Sequence, residues 1–326
     1  MICSTIIPTI GRDTLSRAVK SVLQQDFDAD EFEVIVVNDS GQPLPHADWM
    51  DSKQVTVLHT NRLNRSVARN TGAAIARGRY LHFLDDDDWM LPDAFQHLWH
   101  QSKVKPQAGW VYGGFRLVNN EGETVKEIHP SETGNCFVHM LASEWIPIQA
   151  SWVDAGIFFT IGGFAHLNSL EGGYEDIDLS RMVSRHCDFA TTAKTVTVIR
   201  YGDAGSTTDY NNLLRQNRRS REKSLNMTGA FGRLKASAQT DKSHASYWHG
   251  QIIYYYLVSV YWNLKQKNPM KALSRLTFAM LAFLISIPHI LSLDFWRGAL
   301  HHHHNLVRVT LADLERKLYT KTVWKN

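Results

Sequence analysis

The sequence predicts an α/β fold in which a mostly parallel central sheet is flanked by helices, with a helical extension at the C-terminus. Over its first third, short apolar runs alternate with amphipathic helical patterns, which is typical of parallel strands joined by helices. The 326 residues are 44% hydrophobic and 21% charged, as in folded globular proteins. After about residue 208 the alternation gives way to basic clusters and aromatic runs. We therefore expect an α/β domain over 1–208 and a helical region over 209–326.

Three strands are predicted before residue 60, each a short apolar run that ends at a proline or a polar turn. They cover residues 1–7, 33–37 and 55–58. Pro8 is expected to stop the first strand, and Asp13 to cap the helix that follows, in which apolar residues recur at intervals of three and four. A second helix is predicted from Ser66 to Ala76, and its pattern stops at Gly78.

The next predicted strand runs directly into four consecutive carboxylates, Asp85 to Asp88. In open α/β sheets, ligands bind at the carboxyl ends of the strands. Carboxylates about 4 Å apart repel by roughly 4 kcal/mol at an effective dielectric of 20, which favours either protonation or a bound divalent cation. Magnesium and manganese take one or two protein carboxylates and complete their shells with water and phosphates. A solvated acidic loop before a helix is the alternative interpretation.

Parallel strands bring their carboxyl ends to one edge of a sheet, which makes a geometric prediction. Pro8, Thr9, Asp39 and the acidic run Asp85 to Asp88 each follow or end a predicted strand. We therefore expect these residues to line the same edge.

The second part of the domain is predicted to be mixed. The expected elements are a helix over 93–100, a hairpin of 109–118 and 124–128, a strand over 151–160, a helix from Glu175 to about residue 185, and a strand over 195–201. Acidic side chains in the first turn of a helix are favourable with the helix dipole. Capping alone therefore explains Glu175 and Asp176 as well as any catalytic role does.

The C-terminal region contains a basic cluster between Arg215 and Lys223, which is either a solvated helix face or a site for phosphate or anionic lipid. The segment Leu276 to Leu293 contains no Asp, Glu, Lys or Arg. It is short for a membrane span, which needs ~20 apolar residues. A buried pair of core helices is one interpretation, and its basic flanks favour an interfacial membrane contact as the other.

Charge and cysteine content exclude several classes of protein. A net charge of +3 does not by itself indicate a nucleic-acid partner, and we expect none. Three widely spaced cysteines match neither a disulfide framework nor a zinc site, so a reducing, cytoplasmic compartment is expected. The first residues lack the basic and apolar pattern of a signal peptide.

Five motifs occur in a familiar order and spacing over roughly residues 1–205. They are Ser4-Thr5-Ile6-Ile7-Pro8-Thr9, Val36-Val37-Asn38-Asp39-Ser40-Gly41, Val67-Ala68-Arg69-Asn70-Thr71-Gly72, Phe83-Leu84-Asp85-Asp86-Asp87-Asp88 and Gly173-Tyr174-Glu175-Asp176. Each motif alone is weak evidence, but five in order are specific. The chain resembles glycosyltransferases of family 2, whose domain has the GT-A fold, a Rossmann-like sheet flanked by helices.

The resemblance implies a role for each matching residue. Asp176 corresponds to the catalytic base of the family's Glu-Asp pair. Asp85 and Asp87 correspond to the first and last positions of its Asp-x-Asp motif and are the expected ligands of Mn²⁺ or Mg²⁺. The residues expected to bind the nucleotide donor are Pro8, Thr9, Arg12, Asp39, Arg69, Asp85 and Asp86.

The chemistry of sugar transfer needs the same parts. A departing sugar diphosphate develops negative charge that a cation neutralises, and the incoming hydroxyl needs a carboxylate base. The resemblance therefore implies a metal-dependent inverting transferase that moves a sugar from a UDP-sugar to a glycan or lipid-linked glycan. Such an enzyme of cell-surface polysaccharide synthesis is expected in the cytoplasm, in peripheral contact with the inner face of the membrane. A nucleotidyltransferase and a non-catalytic module that binds a nucleotide-sugar or a glycan are the alternatives.

Overall fold

The computed structural model describes residues 1–137, 140, 146–165, 175–200, 220, 242–265 and 267–300. The chain divides into two compact units, one of Met1–Thr133 with Ile146–Leu213 and one of Gly134–Trp145 with Leu214–Asn326. The domain boundary predicted at residue 208 lies outside the described residues and stays a prediction. The predicted basic cluster between Arg215 and Lys223 lies outside them too, apart from Ser220.

The first unit is built on one mixed sheet. Its strands are β1 (Cys3–Thr9), β2 (Phe32–Asn38), β3 (Val55–His59), β4 (Tyr80–Phe83), β5 (Trp89–Met90), β6 (Ala108–Val118), β7 (Thr124–Ile128), β8 (Ser151–Asp154) and β9 (Asp188–Arg200). They lie in the order β3-β2-β1-β4-β8-β6-β9-β5, and β7 pairs with β6. The first four strands in this order, β3, β2, β1 and β4, are parallel to one another, which confirms the predicted βαβ alternation.

Helices cover the sheet and form the second unit. Those of the first unit are α1 (Leu15–Leu23), α2 (Arg65–Ile75), α3 (Ala94–Val104), α4 (Ala155–Thr160) and α5 (Glu175–Val183). Those of the second unit are α6 (Lys242–Lys265), α7 (Pro269–Ile285) and α8 (Leu293–Ala299). Short 3₁₀ turns occur at Ala29–Glu31, Asp48–Asp51, Ile148–Ala150 and Ile287–His289.

Pro8 lies inside β1 and does not stop it, contrary to the prediction. Ile6 O accepts a hydrogen bond from Leu84 N at 3.1 Å, so Ile6 points its backbone groups towards β4. Pro8 is two residues further along β1, so its backbone nitrogen faces β4 as well. The last β1–β4 pair is Ile6 with Phe83, so Pro8 lies beyond the end of that ladder. No ladder bond is therefore lost, which is why a proline is tolerated there.

Two other local predictions were wrong at the start of a helix. Asp13 does not cap α1, since the N-cap residue is Thr14 and no side chain bonds there. The strand predicted over 151–160 ends at Asp154, where the side chain accepts a hydrogen bond from Ile157 N at 3.2 Å and begins α4. The apolar run after Asp154 is therefore a helix, because the Asp154 carboxylate caps its N-terminus.

The helices of the second unit pack around a common core. Its buried members are Phe137, Tyr247, Ile252, Ile253, Tyr256, Ala279, Ala282 and Phe295. The apolar segment Leu276 to Leu293 is divided among α7, the turn Ile287–His289 and the start of α8, and most of its large side chains are exposed. It is therefore not a buried pair of core helices. Across the described residues, none of the helices combines the length and hydropathy required for a bilayer span.

Candidate active site at the carboxyl edge of the sheet

The carboxyl ends of β1, β2 and β4 meet at one edge, as the sequence predicts. Asp39 N donates a hydrogen bond to Thr9 O at 2.8 Å, which joins the ends of β2 and β1. Thr9 Oγ1 donates to Asp86 Oδ2 at 2.6 Å, which joins β1 to the acidic run after β4. The edge is therefore a continuous hydrogen-bonded network of residues far apart in the chain.

Asp39 holds the loop that follows β3. Its carboxylate accepts hydrogen bonds from Thr60 Oγ1 at 2.6 Å, Arg62 N at 2.7 Å and Asn64 N at 2.6 Å. Asn64 in turn caps α2, since its side-chain oxygen accepts from Ser66 N at 3.0 Å. Asp39 thus fixes the start of α2, and its contact with a nucleotide stays a prediction.

Asp85 lies between an arginine and a glutamine. Its Oδ1 accepts from Arg69 Nη2 at 2.5 Å and its Oδ2 from Gln149 Nε2 at 2.8 Å. Burial opposes ionisation of this carboxyl, but the charge of Arg69 outweighs it and lowers the pKa of Asp85. Asp85 is therefore an ionised carboxylate whose oxygens are already oriented.

Asp86 and Asp87 share one guanidinium. Arg12 Nη1 donates to Asp86 Oδ1 at 2.9 Å and to Asp87 Oδ2 at 2.8 Å. Burial is the main cause that raises the pKa of both carboxyls, and the neighbouring Asp85 charge adds to it. Arg12 is half exposed and Asp87 a third exposed, so both are accessible to a ligand.

Asp88 turns away from this group. It is buried, and its Oδ1 accepts from Arg200 N on β9 at 2.8 Å. Burial first, and then the charges of Asp85 and Asp87, raise its pKa well above the ordinary value. The last carboxyl of the run therefore fastens the acidic loop to the sheet.

The residues of the acidic run fit a divalent cation bound together with a substrate. Within the described ranges, no three His, Cys, Asp or Glu residues are grouped to hold a metal ion by themselves. Magnesium needs only one or two protein carboxylates when phosphates supply further ligands. The crowded, partly exposed carboxyl of Asp87, whose pKa is raised by burial and by its acidic neighbours, would gain from such a cation. Asp87 is the better placed of the two predicted ligands, because Arg12 bonds only its Oδ2, whereas Arg69 and Gln149 bond both oxygens of Asp85.

Arg69 joins the acidic run to the Glu-Asp pair at the start of α5. It is 1% exposed, and its Nη1 donates to Glu175 Oε1 at 3.0 Å while its Nη2 bonds Asp85. Burial opposes its charge, but Asp85 and Glu175 together raise its pKa. Arg65 Nε also lies 3.0 Å from Glu175 Oε1. Arg69 is therefore an electrostatic bridge between the two carboxylate motifs.

Asp176 lies in the first turn of α5, next to this bridge. Its Oδ1 accepts a hydrogen bond from Ile177 N at 2.8 Å. Burial and the charge of Glu175 raise its pKa to about 6. A carboxyl with such a pKa is ionised at neutral pH yet more basic than an ordinary aspartate, as a general base requires. Gly173 and Tyr174 of the same predicted motif lie outside the described residues.

Gln149 and His82 belong to the site but were missed in the sequence. Gln149 is buried on the 3₁₀ turn before β8, and its backbone oxygen lies 2.9 Å from His82 Nε2. Thr5 Oγ1 lies 3.1 Å from His82 Nδ1. The carbonyl can only accept, so Nε2 carries the proton and Nδ1 accepts from Thr5. The sequence signal was a histidine inside the apolar strand that leads to the acidic run.

We expect His82 to make the protein acid-sensitive. Burial lowers its pKa to about 4, against about 6.5 in the unfolded chain. The neutral ring is favoured in the fold, so its stabilisation is complete above pH ~6.5 and is lost as the pH falls towards 4, by up to about 3 kcal/mol. Thermal unfolding between pH 4 and 7 should show the loss, and His82→Gln should flatten that part of the pH dependence. If the stability of His82→Gln fell with pH as steeply as that of the unaltered chain, His82 would not be the source of the acid sensitivity.

Comparisons with known proteins agree with this fold. The glycosyl transferase family 2 model matches residues 4–165. An uncharacterized glycosyltransferase of Haemophilus influenzae is 30% identical over 174 residues, which are 52% of this chain and 58% of that protein. The Escherichia coli UDP-Glc:α-D-GlcNAc-diphosphoundecaprenol β-1,3-glucosyltransferase WfgD is 25% identical over 133 residues, 40% of this chain and 51% of that protein. The chain thus spans only a little over half the length of these relatives.

The fold has a counterpart among solved structures. The crystal structure of Staphylococcus aureus TarS residues 1–349 in complex with UDP-GlcNAc superposes with a TM-score of 0.56 at 14% identity, and covers 84% of this chain and 90% of that chain. This likeness confirms the predicted α/β fold of GT-A type. With the motifs at the sheet edge and the match over residues 4–165, the chain belongs to glycosyltransferase family 2.

Proposed function

We propose that this chain is a metal-dependent inverting glycosyltransferase that moves a sugar from a UDP-sugar to a hydroxyl of a glycan or lipid-linked glycan. The observation that carries the proposal is the bridge through Arg69, which holds the acidic run and the Glu-Asp pair beside each other at the ligand-binding edge of the sheet. The names of two similar proteins support the choice of substrates, since TarS is crystallised with UDP-GlcNAc and WfgD is named for a UDP-Glc donor and a diphosphoundecaprenol acceptor.

The donor side is assigned to the half of the site around the acidic run. Asp87, with Asp85, would hold Mn²⁺ or Mg²⁺, which when bound neutralises the charge that develops on the leaving diphosphate. Arg12 lies against Asp86 and Asp87 and remains half exposed, so it can reach a phosphate oxygen from the same side. Pro8, Thr9, Asp39 and Arg69 shape and orient this edge around the nucleotide.

The acceptor side is assigned to the start of α5. Asp176 takes the proton of the attacking hydroxyl, because its raised pKa of about 6 makes it more basic than an ordinary aspartate and still leaves it ionised at neutral pH. One base that directs attack from the face opposite the leaving group inverts the anomeric centre. Glu175 stays paired with Arg69 and Arg65 and keeps α5 in place.

The wider assignment follows from such substrates. We place residues 1–208 as the catalytic domain and 209–326 as a helical region beside it in sequence. The protein would act in the cytoplasm, in peripheral contact with the inner face of the membrane, where lipid-linked acceptors reside, and without a nucleic-acid partner. The product would be a cell-envelope polysaccharide or its lipid-linked precursor.

Thermal unfolding with UDP, GDP, CMP and dTDP, each with and without Mn²⁺, tests the donor site. UDP with Mn²⁺ at a hundredfold excess over its dissociation constant is expected to stabilise the fold by about 2.7 kcal/mol. Asp87→Ala should abolish the shift. The control is Asp51→Ala, which removes an exposed carboxylate from a 3₁₀ turn and should leave the shift unchanged. A nucleotide shift that needs no metal, or that survives in Asp87→Ala, would contradict the metal site, and no shift at all would contradict the donor site.

A further inference from the structure

Helix α7 has its apolar residues on the outside. The side chains that pack within the second unit are Ala272, Arg275, Ala279 and Ala282, a stripe of small residues and one guanidinium at intervals of three and four. Most of the outward side chains are large and apolar: Leu273, Leu276, Met280, Phe283 and Leu284 on α7, and Ile287 on the turn that follows. Met280 is 64% exposed and Leu284 is 58% exposed. A helix on the surface of a water-soluble domain has the opposite distribution.

Several polar side chains of the unit point inward, and four of them bond in two pairs. Ser246 Oγ lies 2.9 Å from His289 Nδ1, and Ser286 Oγ lies 3.0 Å from His249 Nδ1. Gln251 Nε2 donates to the backbone oxygen of Gly298 at 2.7 Å. Hydrogen-bonding groups inside a helical unit with an apolar exterior are the arrangement of helices packed in lipid.

Close backbone contacts complete this arrangement. A Cβ on Gly250 of α6 would lie 2.0 Å from Phe295 O, and one on Gly298 of α8 would lie 2.0 Å from Tyr247 O. Only glycine fits at this crossing of α6 and α8. Small residues that let helix backbones approach are typical of helix interfaces in membranes.

The charge of the unit favours an anionic surface as its partner. Residues 242–300 contain six Lys and Arg residues and one carboxylate, Asp294, whose Oδ1 accepts from Arg297 Nη1 at 3.0 Å. Lys267 is exposed and lies two residues before α7 begins. A second copy of the chain would bring like charges together, whereas anionic headgroups would neutralise them. Leu291, which is 98% exposed between the 3₁₀ turn and α8, suits insertion among acyl chains.

We propose that α7, the turn Ile287–His289 and α8 form a surface that inserts its exposed apolar side chains into the interface of an anionic lipid bilayer. This insertion surface deepens the proposed function, since it provides the membrane contact that a lipid-linked acceptor calls for. It depends only on the second unit, so it can be tested apart from the donor site.

Co-sedimentation of the full chain with lipid vesicles tests the insertion surface. We expect the chain to bind vesicles of phosphatidylcholine mixed with phosphatidylglycerol at least tenfold more strongly than vesicles of phosphatidylcholine alone. Met280→Glu/Leu284→Glu places two charges on the apolar face and should lower binding to the anionic vesicles by at least tenfold. Lys267→Gln should lower it about fivefold.

The matched control is Val104→Glu/Val125→Glu, which changes two exposed apolar residues of the first unit and should bind vesicles as the unaltered chain does. All variants should keep the nucleotide-induced thermal shift, if there is one, so loss of vesicle binding and loss of donor binding are separate results. A chain that stays in the supernatant with anionic vesicles at low salt would overturn the proposal. So would light scattering that shows self-association abolished by Met280→Glu/Leu284→Glu, since a second copy would then cover this face.

Discussion

Replacing Asp176 with Asn is expected to lower sugar transfer by about 10²–10⁴-fold and to leave UDP binding intact. The amide has the shape of the carboxylate but cannot take the proton of the acceptor hydroxyl. In the unaltered protein, burial and the charge of Glu175 raise the pKa of Asp176 to about 6, so transfer should fall as the pH drops through about 6. The residual transfer rate of Asp176→Asn should not fall at this pH. The rate of UDP release at a series of pH values measures transfer, and calorimetry measures the binding of UDP.

The control for Asp176→Asn is Asp93→Asn. Asp93 is an exposed carboxylate beside His97 at the start of α3, and asparagine is equally suited to that N-terminal position. Its transfer rate should match that of the unaltered chain. If Asp176→Asn kept its rate within about threefold, the base would have to be another group. If it lost UDP binding as well, Asp176 would belong to the donor site.

The sheet edge was predictable because it follows from local patterns. Each strand ends where apolar residues give way to polar ones, and parallel strands must bring those ends together. The hydrogen bond between Thr9 and Asp86 and the one between Asp39 and Thr9 realise that rule. No knowledge of distances was needed, since the topology alone puts the residues at one edge.

The bridge across the site was not predictable in this way. Arg69 and Glu175 are 106 residues apart in sequence, and no periodicity specifies that their side chains meet. Gln149 lies on a 3₁₀ turn without a recognisable motif, and it is placed by the hydrogen bond between its backbone and His82. Such contacts depend on how the antiparallel strand β8 packs beside β4, which the alternation of strands and helices does not encode.

The apolar run of the C-terminal region shows a different limit. Its composition was compatible with a buried pair of helices and with a membrane contact. The face of α7 that is buried argues against the buried pair, because the small side chains of Ala272, Ala279 and Ala282 pack inward while leucines and methionines point outward. The membrane contact stays a proposal. Local hydropathy counts apolar residues but not the direction in which a packed helix turns them.

Replacing Arg69 with Met is expected to destabilise the first unit by about 3–5 kcal/mol, because it leaves the buried carboxylate of Glu175 and the half-buried carboxylate of Asp85 without their shared counter-ion. For a domain of this size, the thermal midpoint should fall by roughly 2–4 °C for each kcal/mol. The loss of unfolding free energy in Arg69→Met should be largest at neutral pH. The charge of Arg69 lowers the pKa of Asp85 despite burial, so the stability it provides is present above the unfolded-state pKa and disappears as acid protonates the carboxyl.

Arg65→Met is the matched control, since it removes an arginine that contacts the same Glu175 oxygen at 3.0 Å. Arg65 is 38% exposed in its side chain, and an ion pair open to water contributes only about 0–1 kcal/mol. Thermal unfolding of both variants from pH 2 to 8 should therefore give a large deficit for Arg69→Met that shrinks as the pH falls below about 4, and a small, flat deficit for Arg65→Met. Equal deficits would mean that Arg69 acts through packing volume, and the electrostatic bridge between the two carboxylate motifs would be refuted.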